Sequence, residues 1–374
     1  MRFAHMSDTS DDPLLGLRRV IRDDGSADPD TDPFLPNETL MAMHRELLKI
    51  RRIDQRMLGK QRQGKVGFFG TITGQEATPI ATAFATQPTD WIFPALRESA
   101  IMLCRGFPLS AWLAQAYGNE CDILKGRQMP SHMSGRSVAQ VSWSSCIGPQ
   151  IPQAVGAAYA AKLRGDSTVC IGFTGDGATS QPDFHHAMTF AQRWNAPAVI
   201  VCQNNHWAIS VPTAQQTSSK TIAMKARAYG MAGIRVDGND VIATYAAVKE
   251  AVERARQGGG PTFVEAVTYR IGPHSSSDDP SRYRSDEEVE AWAKKDPILK
   301  FERYLRKAEL LDDDKREAII AELEVEITAA IDEVEGRPPH PRAEMFDDVY
   351  VTMPPDLAAQ RDELESLPAA PSGH

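Results

Sequence analysis

The residues with chemistry to offer gather at two short turns. One is Gly175-Asp176-Gly177, which follows the apolar run Thr168 to Phe173; the other is Asn204-Asn205, which follows Ala198 to Gln203. Both runs read as short strands, and Asp183 to Trp194 between them reads as a helix. Strand, helix, strand with short links implies parallel pairing through a right-handed crossover. Asp176 and Asn205 then lie just past the carboxyl ends of neighbouring strands, where open α/β sheets bind ligands. A carboxylate and an amide oxygen side by side suit a hard cation such as Mg2+, which completes its shell with phosphate oxygens and water. The flanking Gly175 and Gly177 would let the backbone approach a diphosphate, and the next helix would aim its N-terminus at it. A GDG turn or an Asn pair alone says little, since both are ordinary turn sequences. Their occurrence one strand-helix-strand unit apart is what points to a metal-diphosphate site.

Positioning such a site needs a sheet, and the surrounding sequence supplies one. Downstream come a strand at Ile234 to Val236, a helix at Val241 to Arg256 and a strand at Thr262 to Thr268. Upstream, a long amphipathic helix starts near Asn37, its expected cap, and carries Leu40, Met43, Leu47, Ile50, Met57 and Leu58 at a helical period. Pro108 to Tyr117 reads as another helix, and Ile151 to Leu163 as a small-residue helix suited to close packing. The fold class is therefore α/β, a doubly wound and mostly parallel sheet with helical N- and C-terminal extensions. Residues 1–36 are rich in Asp, Ser and Pro and read as an extended arm; 37–340 form the α/β domain; 341–374 form a tail whose end is expected to be disordered. Charged helix fills Glu287 to Glu335.

Composition removes several classes. The 374 residues can bury a sizeable core, and 42% hydrophobic with 24% charged is ordinary for a globular protein. A net charge of −9 opposes nucleic-acid binding, and no apolar run is long enough to span a membrane. The acidic start MRFAHMSDTSDDPLL has no apolar centre like that of a secretory signal. Five cysteines without a CxxC pair suit free thiols in a reducing compartment, so the cytoplasm is expected. A Rossmann-type nucleotide binder is disfavoured, because the glycines do not make GxGxxG and the second strand ends in Asn. A scaffold that kept only the fold would have no use for Asp176 and Asn205.

The segment GDGATSQPDFHHAMTFAQRWNAPAVIVCQNN resembles the thiamine-diphosphate-binding motif, which opens with GDG and closes with NN. The likeness continues through GRQMPSHMS, QIPQAVGAAYAAK, IRVDGND and TYRIGPHSSSDDPSRYR. Together these resemble the α subunits of the E1 component of branched-chain 2-oxoacid dehydrogenases. That resemblance implies the thiamine-diphosphate-binding fold, with Mg2+ held by Asp176, Asn205 and the backbone carbonyl of Trp207. It implies that Arg97 holds the diphosphate, with Gly175, Gly177, Ala178, Gln203 and Arg270 around it. Ser145 and Ile147 fall on positions lining the aminopyrimidine and the bend of the cofactor, and Ser144 and Gln150 near a K+ site of some relatives. His274 falls beside the reacting carbon, where it would orient the lipoyl group or stabilise charge.

The implied activity is oxidative decarboxylation of 3-methyl-2-oxobutanoate and related branched 2-oxoacids, with reductive acylation of the lipoyl group of the E2 component. Pyruvate and acetoin dehydrogenase α subunits are the sister alternatives, and Phe68 and Phe69 would suit an apolar acyl site for either. The resemblance also implies a separate β subunit in an α2β2 assembly, which carries the glutamate facing the aminopyrimidine; this chain is then half of an active site. Some residues read more simply as structure: His185 and His186 as packing residues, and Ser275 to Ser277 as a polar loop. Ser275 falls on the position phosphorylated in animal relatives, and no such regulation is expected here. His132 reads equally as a core or a site histidine. Three departures stand out: Gln203 where many relatives have arginine, Leu96 where many have tyrosine, and Pro273 where animal members have histidine. The first two remove diphosphate contacts and predict weaker cofactor binding.

Overall fold

The computed structural model describes residues 12–368. Five strands form its parallel sheet: β1 (Trp91–Phe93), β2 (Cys170–Gly175), β3 (Ala198–Asn204), β6 (Ala232–Asp237) and β7 (Thr262–Val267), in the order β1-β2-β3-β7-β6. A two-stranded antiparallel hairpin, β4 (Trp207–Ala208) and β5 (Val211–Pro212), follows β3 directly. All seven residues of β3 are buried, as in a sheet covered on both faces. Their period of two sends Val199 and Val201 to one face and Ala198, Ile200 and Cys202 to the other.

The helices up to the centre of the chain are α1 (Asn37–Arg62), α2 (Ala77–Ala85), α3 (Ala100–Cys104), α4 (Leu109–Tyr117), α5 (Gln150–Arg164) and α6 (Pro182–Arg193). Beyond it come α7 (Thr213–Gln216), α8 (Lys225–Ala228), α9 (Val241–Arg256), α10 (Asp286–Ala293), α11 (Pro297–Lys307), α12 (Asp313–Glu335) and α13 (Pro355–Ser366). The larger core joins the Val199 face to α1, α2, α9, α11 and α12, and the smaller one joins the opposite face to α5 and α6. The doubly wound α/β expectation is borne out.

Two local expectations are corrected. Asn37 is the first residue of α1 and not its cap; Pro36 holds the cap position with no side-chain hydrogen bond. Pro36 fixes its own φ at −56° and its extended ψ of 142° launches the helix without a polar cap. The helix after the GDG turn does not begin on that turn. A short 3-10 turn at Gly177–Ser180 intervenes, Gln181 is extended, and α6 starts at Pro182. Strand β1 escapes sequence reading because three residues are too few to show a period.

The expected arm lies against the β6 edge over its described part. Arg18 donates from its N–H to Arg235 O (3.0 Å) and accepts from Asp237 N (3.0 Å), and Pro13 O accepts from Arg235 N (3.1 Å). Val20 and Ile21 donate to Asp240 Oδ2 at 2.8 and 2.6 Å. At the other end, α13 carries no buried residue, and residues 369–374, the end of the expected tail, lie outside the described residues.

Candidate active site: a buried anion and metal cradle

Parallel strands send all their carboxyl ends to one edge, and there four loops meet: Pro94–Glu98 after β1, Asp176 after β2, Asn205–Trp207 after β3 and Thr268–Arg270 after β7. The register pairs Gly175 with Gln203 across β2 and β3, so Asp176 and Asn205 leave neighbouring strands together. The Asn205 backbone N–H donates to the Asp176 carboxylate. Asp176 is 1% exposed, and burial pushes its pKa up to about 6 against the opposing hydrogen bond from Thr213. Thr213 Oγ1 donates to Asp176 Oδ2 at 3.0 Å.

Asn205 is oriented from two sides: its Nδ2 donates to Gln75 Oε1 (2.9 Å) and its Oδ1 accepts from Trp207 N (3.1 Å). The Trp207 carbonyl accepts from Arg270 Nη1 at 3.2 Å. One carboxylate, one amide and one carbonyl make an all-oxygen set, the chemistry Mg2+ selects. Among the described residues no cluster of three or more His, Cys, Asp or Glu is placed to hold a metal, so softer ions have no competing cage.

Two guanidinium groups sit beside this set. Arg270 is 1% exposed and also donates to Ile209 O (2.7 Å) and Tyr283 Oη (2.7 Å), while its Nε is buried without a partner. Arg97 is 5% exposed and donates to Thr71 O and to His274 O (2.8 Å). Among the described residues neither arginine forms an ion pair with a carboxylate. Burial, and then the Arg270 charge beside it, lower the Arg97 pKa to about 10. A buried guanidinium without an ion pair costs several kcal/mol, a cost that an anion bound beside it would offset. Gly175 meets the same demand: a Cβ there would touch nothing within 4 Å, leaving room for a group close to the backbone. Gly177 is glycine for a different reason, because a Cβ there would stand 2.8 Å from Ala208 Cβ on the hairpin. Ala178 lies buried in the same 3-10 turn.

Gln203 is buried and its Nε2 bonds Glu98 Oε1, while its Oε1 has no partner. Glu98 also accepts from Ala95 N (2.7 Å) and Arg97 N (3.1 Å), and burial raises its pKa to about 7. His274 donates its backbone N–H to Asp278 Oδ2 (2.7 Å); burial, followed by Arg97 and Arg270, lowers its ring pKa to about 4.

Among the described residues Ser144, Ser145, Ile147 and Gln150 make no side-chain hydrogen bond to the cradle side chains. Ser145 is exposed and hydrogen-bonded to His132 Nε2, and Ile147 is 60% exposed. His132 is buried and stacks on Trp143, with ring centroids 3.7 Å apart, which joins it to Ser145. Gln150 donates to Phe173 O (2.8 Å), while exposed Ser144 accepts from Cys146 N (3.3 Å); no hydrogen bond joins the two. Leu96 lines a pocket with Phe69, Trp112, Met133 and Trp143 beside Arg97. His185 and His186 are exposed on α6, and His185 bonds Tyr229 Oη.

Sequence reasoning missed Gln75, Thr213 and Glu98. Gln75 arrives on the segment 67–76, which is clamped by Asp54 Oδ2 accepting from Ile72 N (2.7 Å) and Thr73 N (2.9 Å). Gly74 there has φ +94°, and a Cβ would stand 2.5 Å from Tyr269 O, so the segment presses directly on the β7 loop. Only the long-range fold brings these residues to the site; nothing in their local spacing does.

Fold and site together define a parallel α/β domain whose sheet edge gathers the Asp176 and Asn205 side-chain oxygens and the Trp207 carbonyl beside two buried guanidinium groups. The chain belongs to the dehydrogenase E1 component family, whose model matches residues 44–343, a thiamine-diphosphate-dependent family. It is 41% identical over 336 residues to 3-methyl-2-oxobutanoate dehydrogenase subunit alpha of Mycobacterium tuberculosis, covering 89% of this chain and 88% of that protein. It is 40% identical over 361 residues to 2-oxoisovalerate dehydrogenase subunit alpha of Pseudomonas aeruginosa, covering 94% and 88%. The human mitochondrial 2-oxoisovalerate dehydrogenase subunit alpha is 40% identical over 338 residues, covering 90% of this chain and 76% of its own length. The resemblance read from the motifs is borne out. Among the described residues no helix is long and apolar enough to cross a membrane.

Proposed function

We propose that this chain is the α subunit of a branched-chain 2-oxoacid dehydrogenase E1 component and contributes the diphosphate half of its active site. The observation that carries the reading is the pair of buried guanidinium groups, Arg97 and Arg270, with no carboxylate partner among the described residues, beside the Asp176 and Asn205 oxygens. Their natural partner is the diphosphate of the family's cofactor, gripped by charge-assisted hydrogen bonds. Asp176, Asn205 and the Trp207 carbonyl hold Mg2+, with Thr213 and Gln75 aiming the two side chains. When bound, thiamine diphosphate supplies the electron sink that decarboxylating a 2-oxoacid requires and that no side chain provides.

His274 is the candidate at the reacting end. With its pKa held near 4 it is a neutral imidazole at physiological pH, able to donate to or accept from a lipoyl thiol without carrying charge. The exposed Ser145 and Ile147 support the second half of the reading: they await a β subunit that closes over the aminopyrimidine in an α2β2 assembly, which then delivers its acyl group to E2. K+ near Ser144 and Gln150 would take the Ser144 Oγ and the Gln150 Oε1, the latter oriented by the Gln150 Nε2 bond to Phe173 O. The five free cysteines favour the cytoplasm as its compartment.

The test is co-expression with a β subunit and measurement of decarboxylation with an artificial electron acceptor, Mg2+ and thiamine diphosphate present. Preference for 3-methyl-2-oxobutanoate and 4-methyl-2-oxopentanoate over pyruvate is expected, and no turnover by this chain alone. Preference for pyruvate moves the protein to the sister activity, because an apolar pocket separates such acyl groups by only about 1–3 kcal/mol per methylene.

A further inference from the structure

A cluster of side chains behind the ligand turn has no place in the scheme above. Ser285, Asp286, Glu287 and Glu288 begin α10 with the sequence of a capping box, and the Ser285 hydroxyl accepts from Glu288 N at 3.3 Å. In such a box the glutamate side chain turns back on the cap backbone. Here it turns outward: Glu288 Oε1 accepts from Trp207 Nε1 (3.0 Å) and from Tyr269 Oη (2.9 Å). Trp292, one helical turn further along the same face, stacks on Tyr269 with centroids 5.1 Å apart and planes 6° from parallel. It also meets His206, 5.0 Å away. His206 stands between Asn205 and Trp207 with φ +69°, a left-handed residue that makes the bend between them.

Glu288 and Trp292 thus grip, from outside, all three parts that set the site. Trp207 offers the carbonyl, His206 forms the bend, and Tyr269 directly precedes Arg270, which donates to that same carbonyl. We infer that Glu288 is a positioning residue for the metal, holding the Asn205–Trp207 turn through the Trp207 indole, with Trp292 bracing the bend. The inference rests on the Mg2+ site proposed above. A carboxylate accepting two donors on one oxygen fixes two rings in one orientation, and groups behind a ligand typically change metal affinity about 10–100-fold when removed. The requirement is for an acceptor at that point rather than for charge, since both donors are neutral.

The measurement is calorimetric binding of thiamine diphosphate to the assembled α and β chains across a Mg2+ series, with thermal midpoints recorded alongside. Glu288→Ala is expected to raise the Mg2+ needed for half-maximal cofactor binding about tenfold, with Glu288→Gln close to the parent. Trp292→Leu, which leaves Glu288 in place, is expected to give a smaller shift in the same direction. Tryptophan fluorescence supplies a readout independent of turnover, because the Trp207 indole loses its acceptor in Glu288→Ala and keeps one in Glu288→Gln. An unchanged Mg2+ requirement in Glu288→Ala, or in Trp292→Leu where Glu288→Ala does not fold, overturns the inference. So does a Glu288→Gln protein as impaired as Glu288→Ala. Asp176→Ala is the reference: if it retains Mg2+-dependent cofactor binding, the metal site itself is misread, whatever Glu288 does.

Discussion

The two halves of the proposed cofactor site are built in opposite ways. The diphosphate half is finished within this chain: Arg97, Asp176 and Arg270 are at most 5% exposed, and Thr213, Gln75 and Tyr283 already orient the ligands. The pyrimidine half is left open, with Ser145 exposed and Ile147 60% exposed. The difference teaches where preorganisation is needed. Charged groups must be fixed and desolvated before the ligand arrives, or ordering them would consume the binding energy. An apolar ring surface can wait for a second protein to cover it.

The sharpest way to break this contrast is to remove a buried charge. Arg97→Met is expected to lower thiamine diphosphate affinity of the assembled enzyme about a hundredfold or more, since truncating one partner of a buried charge pair costs about 2–5 kcal/mol. The thermal midpoint of the cofactor-free chain should stay level or rise, because an unpaired buried cation is removed. A matching loss of stability and binding would make Arg97 a structural residue and dissolve the comparison.

A middle-sized effect is written in Glu98, whose pKa is raised from 4.5 to about 7 by burial. A raised acid binds its proton longer in the folded state than in the unfolded one, so its contribution to stability falls as pH climbs from about 4.5 through 7. Relative to Glu98→Gln, the parent chain should lose about 1–3 kcal/mol across that window, read from denaturant midpoints in paired buffers. Parallel curves for the two proteins would show that Glu98 is not a strained acid and that burial stores little cost in that half of the site.

The smallest effect sharpens the open half. Ile147→Ala should change the stability of the isolated chain by less than about 0.5 kcal/mol, as surface substitutions do. In the assembled enzyme the same change should raise the cofactor dissociation constant several-fold, as an apolar contact buried against the ring is lost. An equal effect with and without the β chain would mean that Ile147 already packs within this one.

How much of this was legible depends on the range of the interaction. Asp176 and Asn205 could be found because each follows an apolar run whose period marks a strand, and parallel neighbours put their ends together. Gln75 and Thr213 could not, because one comes from a loop ahead of α2 and the other from the first residue of α7, just after the β4–β5 hairpin. Asn37 was misread as a cap because polar residues favour that position on average, whereas Pro36 reaches the same geometry through its ring. The GDG turn suggests a helix dipole aimed at the ligand; the intervening 3-10 turn at Gly177–Ser180 sets the start of α6 back at Pro182. The resemblance filled the gap where physics alone was silent, at Arg97 and Arg270, and the burial of both supports what it implied.

The segment ahead of α1 has a consequence for handling the protein. The bonds of Pro13 and Arg18 to Arg235 and Asp237 cap the outer side of β6, while Ala139 and Val141 bond Ile92 and close the outer side of β1. Among the described residues both margins of the sheet carry such bonds where a neighbouring molecule would extend it. Trimming the first thirty or so residues as a dispensable tail would uncover one of those margins, and the shortened protein should self-associate through it into insoluble material.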